Sequence, residues 1–275
     1  MNNDYSLENK VIVVTGACGL LGFEYVKAIA KNGGTPILLD INSKNIEEKV
    51  SKINNSYNVK AYGYKVDISD ENQIKSNSNN IIINHGKIDG LINNAANNPK
   101  VEKSNVNKNF SRLENFSINN WNDDISVGLT GSFLCAKHYG YLISKNLDGG
   151  SIINISSDLG LIAPDQSLYY IDGLDDENQP VKPVTYSIIK SGLIGLTRYI
   201  STYWAKNKVR CNAICPGGVF NDQPNDFLER FNKKVPMGRM AYKNELEGII
   251  IYLLSDLSSY TNGAVIPVDG GRTAW

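Results

Sequence analysis

Lys10–Gly22 reads KVIVVTGACGLLG, and this stretch decides the fold. Four consecutive β-branched residues, Val11 to Val14, mark a strand buried on both faces, the pattern of a parallel sheet. Glycines at 16, 19 and 22 follow immediately. They let the chain turn tightly, approach a phosphate closely and pack helix against strand. The helix opening at Leu20 then offers free backbone N–H groups and a positive dipole end to a pyrophosphate. The other reading is a structural turn, since 24 glycines make some triplets by chance. Position directly after a buried strand and at the start of a helix favours the dinucleotide site.

Working outward, apolar strand patterns alternate with helical ones. Strands are expected at Thr35–Asp40, Val59–Val66, Lys87–Asn93, Ser151–Ser156, Val209–Ile214 and Ala264–Val268. Helices are expected at Leu20–Lys31, Ser43–Ile53, from about Asp70, at Ile118–Lys145 with Ile125, Leu129 and Phe133 on one face, and at Tyr186–Ala205. Leu246, Ile250, Leu253, Leu254 and Leu257 mark a last helix. The alternation predicts an α/β fold, a doubly wound Rossmann-type parallel sheet of about seven strands with helices on both faces. With no repeat and no Pro/Gly/Ser-rich linker, residues 1–275 read as one domain.

Composition removes several function classes. Lys+Arg 28 balance Asp+Glu 28, leaving no basic field for nucleic acid or an anionic membrane. The longest apolar run, Ile249–Leu254, is six residues, against about 20 for a bilayer span. The polar start MNNDYSLENK carries no secretory pattern, so a soluble cytoplasmic protein is expected. Cys18, Cys135, Cys211 and Cys215 are scattered and read as reduced, packed thiols. With only His85 and His138 to add, no metal site is expected.

Asp40 ends the second strand, 24 residues beyond Gly16. A carboxylate there can accept hydrogen bonds from ribose hydroxyls and repel a 2′-phosphate, so NAD is favoured over NADP. Lys44 argues the other way, and a cap on the next helix is the alternative role for Asp40. Tyr186-Ser-Ile-Ile-Lys190 puts a phenol and an ammonium on one helix face. A phenol titrates near 10, so a fixed positive charge beside it is needed for proton exchange near neutrality. Ser157 leaves the fifth strand at its carboxyl end, placed to hydrogen-bond a reacting oxygen.

These residues resemble the short-chain dehydrogenase/reductase family in its short single-domain form, over roughly Leu7 to Gly271. Further matches are Asp67, Asn93-Asn94-Ala95-Ala96, Asn154-Ile-Ser-Ser157, Asn212-Ala-Ile-Cys-Pro216-Gly217-Gly218 and Asp269-Gly270-Gly271. The resemblance implies Tyr186 as general acid/base, Lys190 on the nicotinamide ribose and Ser157 on the substrate oxygen. It implies coenzyme contacts from Gly16, Gly19, Leu20, Leu21, Gly22, Asp40, Asp67, Ile68, Asn93, Asn94, Ala95, Pro216, Gly217 and Val219, with Asp67 at the adenine and Asn93 lining the adenosine pocket. It also implies a homo-tetramer or homo-dimer packed through the two long helices. The strings "Asn-Asn-Pro-Lys" and "Gly-Gly-Arg-x-x-Trp" look most like the flagellin-modification protein A subgroup, which points to a sugar or nucleotide-sugar substrate of surface-glycan biosynthesis.

Three departures stand out. The glycine turn is Gly-x-x-Gly-x-x-Gly, where the short form usually has Gly-x-x-x-Gly-x-Gly. Gly128 falls where the family has a relay Asn. Ser157 and Tyr186 lie 29 residues apart, where about a dozen is usual. The resulting insertion, near 158–185, carries Tyr169, Tyr170, Asp172, Asp175, Asp176 and Glu177. It reads either as a polar wall of the substrate mouth or as a solvated loop or subunit contact. Asn107–Trp121 and 219–240 are expected to form lids. The reading is a nucleotide-dependent oxidoreductase acting on a small secondary alcohol or ketone. A catalytically idle dinucleotide-binding sensor and an NAD-retaining epimerase or dehydratase are the rivals.

Overall fold

The computed structural model describes residues 5–97 and 111–275. Its strands are β1 (Val11–Thr15), β2 (Thr35–Asp40), β3 (Tyr62–Lys65), β4 (Gly90–Asn93), β5 (Gly150–Ile155), β6 (Val209–Pro216) and β7 (Val265–Val268). They form one sheet in the order β3-β2-β1-β4-β5-β6-β7, every adjacent pair parallel. Helices α1 (Leu20–Lys31), α2 (Ser43–Ser56), α3 (Glu71–His85), α4 (Ile118–Ile125), α5 (Gly131–Cys135), α6 (Tyr141–Ile143), α7 (Val184–Tyr203), α8 (Asn225–Asn232) and α9 (Glu247–Leu254) complete it.

The β1 run explains both layers. Successive side chains point to opposite faces, so Ile12 and Val14 join α1 and α9 through Tyr25, Ile29, Ile250 and Leu253. Val11 and Val13 join Ile74, Ile81, Leu134, Tyr139 and Ile143 on the other face. The chain winds from β1 outward to β3, then returns to β4 on the opposite side of β1. That reversal opens a crevice beyond the carboxyl ends of β1 and β4, where ligands of open α/β sheets bind. Thr15 and Asn94 stitch its floor. Thr15 Oγ1 accepts from the Asn94 and Ala95 amides at 3.0 and 3.1 Å. Asn94 Nδ2 donates to the Thr15 and Gly16 carbonyls at 3.0 and 3.2 Å.

Two elements differ from expectation. β3 is shorter, because it is an edge strand that begins only where Tyr62 pairs with Ile37. The long helix after residue 117 is interrupted by π turns at Ser126–Thr130 and Ala136–Gly140. At the first, the Gly131 N–H reaches the Ser126 carbonyl five residues back. An added residue in a turn advances the core-facing positions by one. Phe133 is therefore exposed while Leu134, Cys135, Tyr139 and Ile143 are buried. In the last helix Leu257 is likewise exposed, lying beyond the end of α9.

Candidate active site

A cavity of about 990 Å³ opens at the crevice and runs from the glycine turn to the insertion after β5. At one end Gly16, Gly19, Leu20, Leu21, Asp40, Asp67, Ile68, Asn94 and Ala95 line it; Pro216, Gly217 and Val219 line its β6 side. Gly16 has φ +60, and a Cβ there would stand 2.8 Å from Ala95 Cα. Gly22 lies behind the wall: its Cβ would meet the Gly16 carbonyl oxygen at 2.2 Å, so it serves close packing of α1 on the turn. α1 begins at Gly19 with no side-chain cap and no acidic residue in its first turn. Its leading amides therefore face the cavity undischarged, a cradle suited to a pyrophosphate. Asp40 is not the cap of α2, which is Asn42. Its Oδ2 accepts from the Cys18 amide at 3.0 Å and its Oδ1 from Ile41 at 2.9 Å. That fixes a carboxylate at the end of β2 where a ribose would lie. These residues fit a dinucleotide coenzyme.

Ser157, Tyr186 and Lys190 meet at the other end of the cavity. Tyr186 and Lys190 project from the first turns of α7, whose start is fixed by Asp124. That buried carboxylate accepts from Thr185 Oγ1 at 2.6 Å and from Asn97 Nδ2 at 3.1 Å. Lys190 is buried, and its Nζ donates to the Ile155 carbonyl at the end of β5 at 2.7 Å. Burial, reinforced by Lys182, brings its ammonium down to about 8. Burial raises the Tyr186 phenol, the facing Ser157 hydroxyl draws it down, and Asp158 pushes it up again.

Asp158 and Arg272 were not singled out from the sequence, yet they hold Ser157 in place. The Ser157 hydroxyl donates to Asp158 Oδ1 at 2.7 Å, and Leu159 N–H donates to the same oxygen at 2.8 Å. Asp158 Oδ2 pairs with Arg272 Nη1, both residues being buried. The Ser157 oxygen also accepts from the Leu159 N–H at 3.2 Å, and its hydroxyl proton can turn from Asp158 toward Tyr186 or a reacting oxygen. Lys182 was missed too: its Nζ lies 3.8 Å from the centroid of the Tyr186 ring. In the sequence Asp158 shows only as a charge beside Ser157, and Arg272 only within the Gly-Gly-Arg-x-x-Trp string.

Other expected residues sit elsewhere. Asn93 does not line the cavity; it is buried, with Nδ2 donating to Asn154 Oδ1 at 2.8 Å and to the Ser132 carbonyl at 3.3 Å. The alternation of β4 turns it into the layer beneath. Gly128 is buried under Ile189, where a Cβ would stand 2.8 Å from Ile189 Cγ2. An Asn side chain there would have to displace Ile189. Asp172, Asp175, Asp176 and Glu177 are exposed and outside the lining, whereas Tyr169, Tyr170 and Lys182 of the same insertion are in it. The expected lid at 219–240 forms α8, with its base closed by the Val219–Ala241 bridge. Arg230 of α8 donates to the Leu168 and Tyr170 carbonyls at 3.3 and 3.1 Å. Leu168, Phe231, Val235 and Met240 close a small apolar cluster between lid and insertion. The first part of the other expected lid, residues 107–110, lies outside the described residues. The four cysteines are free thiols. Among the described residues no cluster of His, Cys, Asp or Glu could hold a metal, and no helix is long and apolar enough to cross a membrane.

A nucleotide cradle at the head of α1 and a Ser-Tyr-Lys constellation on the facing strand and helix define an oxidoreductase of the Rossmann type. The family profile for short chain dehydrogenase matches residues 10–171, and that for Enoyl-(Acyl carrier protein) reductase matches 176–273. The chain belongs to the short-chain dehydrogenase/reductase family. It is 32% identical to an NADP-dependent mannitol dehydrogenase of Hypocrea jecorina, over 98% of this chain and 94% of that one. It is 28% identical to the post-translational flagellin modification protein A of Campylobacter coli, over 96% and 98%. A short chain dehydrogenase from Leptospira borgpetersenii, solved with bound NAD+, superposes with TM-score 0.83 at 27% identity, covering 99% of this chain and 96% of that one. Relatives of this kind use NAD or NADP on CH–OH groups, and the chain is such a dehydrogenase.

Proposed function

We propose that this chain interconverts a secondary alcohol of a small polyhydroxylated compound and the matching ketone, using NAD in preference to NADP. One observation carries the reading: Ser157, Tyr186 and Lys190 converge at one end of a cavity whose other end is the uncapped head of α1. A nicotinamide coenzyme, when bound, supplies the hydride acceptor or donor. Tyr186 takes the hydroxyl proton in oxidation and returns it in reduction, Ser157 orients the reacting oxygen, and Lys190 favours the phenolate by its charge. Asp40, with no arginine beside it, supports NAD.

Likeness to a mannitol dehydrogenase and to a flagellin modification protein supports a sugar, sugar alcohol or nucleotide-sugar substrate, with surface-glycan biosynthesis as the setting. Four free thiols accord with a reducing cytoplasm. Exposed Phe133, Tyr141, Tyr199 and Tyr203 on the two long helices support a homo-tetramer or homo-dimer. The reading of residues 1–275 as one domain rests on the single sheet that spans them.

Gly128 under the Ile189 side chain favours one rival, an idle nucleotide binder, because the usual relay Asn is absent and its space is filled. A thermal-shift titration with NAD and NADP, followed by NADH absorbance against polyols and nucleotide sugars, separates the readings. NAD stabilisation with NADH formation, lost in Tyr186→Phe, supports the enzyme. Stabilisation with no turnover across the panel supports the idle binder.

A further inference from the structure

The charges at the reacting end do not balance. Lys182, Lys190 and Arg272 bring three cations into the cavity wall. Among the described residues Asp158 is the carboxylate set between them, and it is taken by Arg272 and by the Ser157 hydroxyl. Lys190 donates to the Ile155 carbonyl. Among the described residues the Lys182 ammonium makes no hydrogen bond or ion pair and rests on the face of the Tyr186 ring, while its backbone N–H donates to Gln166 Oε1 at 2.8 Å. Burial brings it down to about 8, with Asp158 opposing. Arg272 spends Nη1 on Asp158, and its other two nitrogens donate to no side chain or carbonyl among the described residues.

Nearby carboxylates are already engaged. Asp165 is paired with Lys234 at 3.0 Å and Asp226 with Arg230 at 3.3 Å. Asp222 also lines the cavity but is exposed to water on the lid side, and the acidic run 172–177 lies outside the lining. The coenzyme cradle is at the opposite end, so its phosphates do not serve as the missing counter-charge. A cation withdrawn from water without a partner is unfavourable, and such groups in proteins are normally paired. Among the described residues the half-buried Lys182 ammonium is thus left without a counter-charge.

Building on the oxidoreductase reading, we infer that the substrate is an oxyanion: a hydroxylated carbon chain carrying a carboxylate or a phosphate, which seats between the unpartnered Lys182 ammonium and the free edge of the Arg272 guanidinium, beside Ser157 and Tyr186. Lys182 stands on the ring whose hydroxyl meets the reacting carbinol. The anionic group and the carbinol thus lie within a few bonds of each other. A planar guanidinium edge and a mobile ammonium together accept either oxyanion.

The test compares three six-carbon ligands that differ at one terminus: sorbitol, gluconate and sorbitol 6-phosphate. Binding is titrated calorimetrically to the full chain, with and without coenzyme, in parallel with NADH formation. At least one anion is expected to bind about tenfold tighter than sorbitol, equivalent to about 1.4 kcal/mol. The stronger of the two anions identifies carboxylate or phosphate. Lys182→Met should remove most of the preference and Lys182→Arg should retain it. Equal binding of all three ligands overturns the inference, as does a preference that survives Lys182→Met. Turnover of sorbitol without any anion preference sinks this inference and leaves the oxidoreductase reading standing. Absence of coenzyme binding sinks that reading, while the coenzyme-free titration still decides this one.

Discussion

Replacing Arg272 with Met strands a carboxylate. Arg272 and Asp158 have side chains only 7% and 4% exposed, so water cannot take over the lost contact. Asp158 Oδ1 keeps its bonds from Ser157 and Leu159, while Oδ2 is left without a partner. Removing one member of a buried pair costs about 3–5 kcal/mol. An unfolding entropy of about 2.1 cal/mol/K per residue makes 275 residues lose roughly 1.7 °C per kcal/mol, so Tm should fall by roughly 5–9 °C. The assay is thermal unfolding by circular dichroism, without coenzyme and at fixed protein concentration. The double variant Asp158→Leu/Arg272→Met removes both charges and should recover at least half of the loss. A single variant within about 1 °C of wild type would refute the reasoning, because the pair would then have no net coupling to folding. So would a double variant less stable than the single one.

Gly22→Ala places a methyl against the Gly16 carbonyl, backbone against backbone, and should cost at least about 1–3 kcal/mol; thermal unfolding reads the loss, and the NAD-induced shift should shrink with it. Asp40→Ala removes the carboxylate at the ribose end, and the Kd ratio of NADP to NAD should fall by about tenfold or more, since like charges there oppose a 2′-phosphate. Lys182 and Lys190 are both held near 8 in the fold, against about 10.4 in an unfolded chain. Between those values the unfolded chain carries protons that the native one lacks, so both lysines make stability rise with pH there. Lys190→Met should flatten that rise in unfolding titrations between pH 8 and about 10, and an unchanged slope would show the ammonium is not desolvated.

What the chain discloses about itself follows sequence distance. The strand Val11–Val14, the glycine turn and the Tyr186–Lys190 spacing are local patterns, and each is found where its period puts it. Asp158 and Arg272 are 114 positions apart, so no window contains both. Their meeting depends on β5 and the end of the chain after β7 reaching the same rim of the sheet. Asn93 is legible as a motif but not as an orientation; Asn154 and Ser132 draw its amide inward. The π turns leave no mark in hydropathy, so the row Ile125, Leu129, Phe133 pointed at the wrong neighbour by one residue. The insertion read either as a wall of the substrate mouth or as a solvated loop, and it divides between the two: its conspicuous acids face solvent while Tyr169, Tyr170 and the quieter Lys182 line the cavity.

The space above Gly128 bears on redesign as well as on the reaction. A mutation placing Asn at 128 brings its first added atom 2.8 Å from the branched Ile189 side chain. Trimming Ile189 first, with glycine still at 128, opens a hole beside the helix that carries Tyr186. Either single step is disfavoured, and only the two together give a packed site. Engineering the usual relay into this scaffold must therefore start with both positions at once.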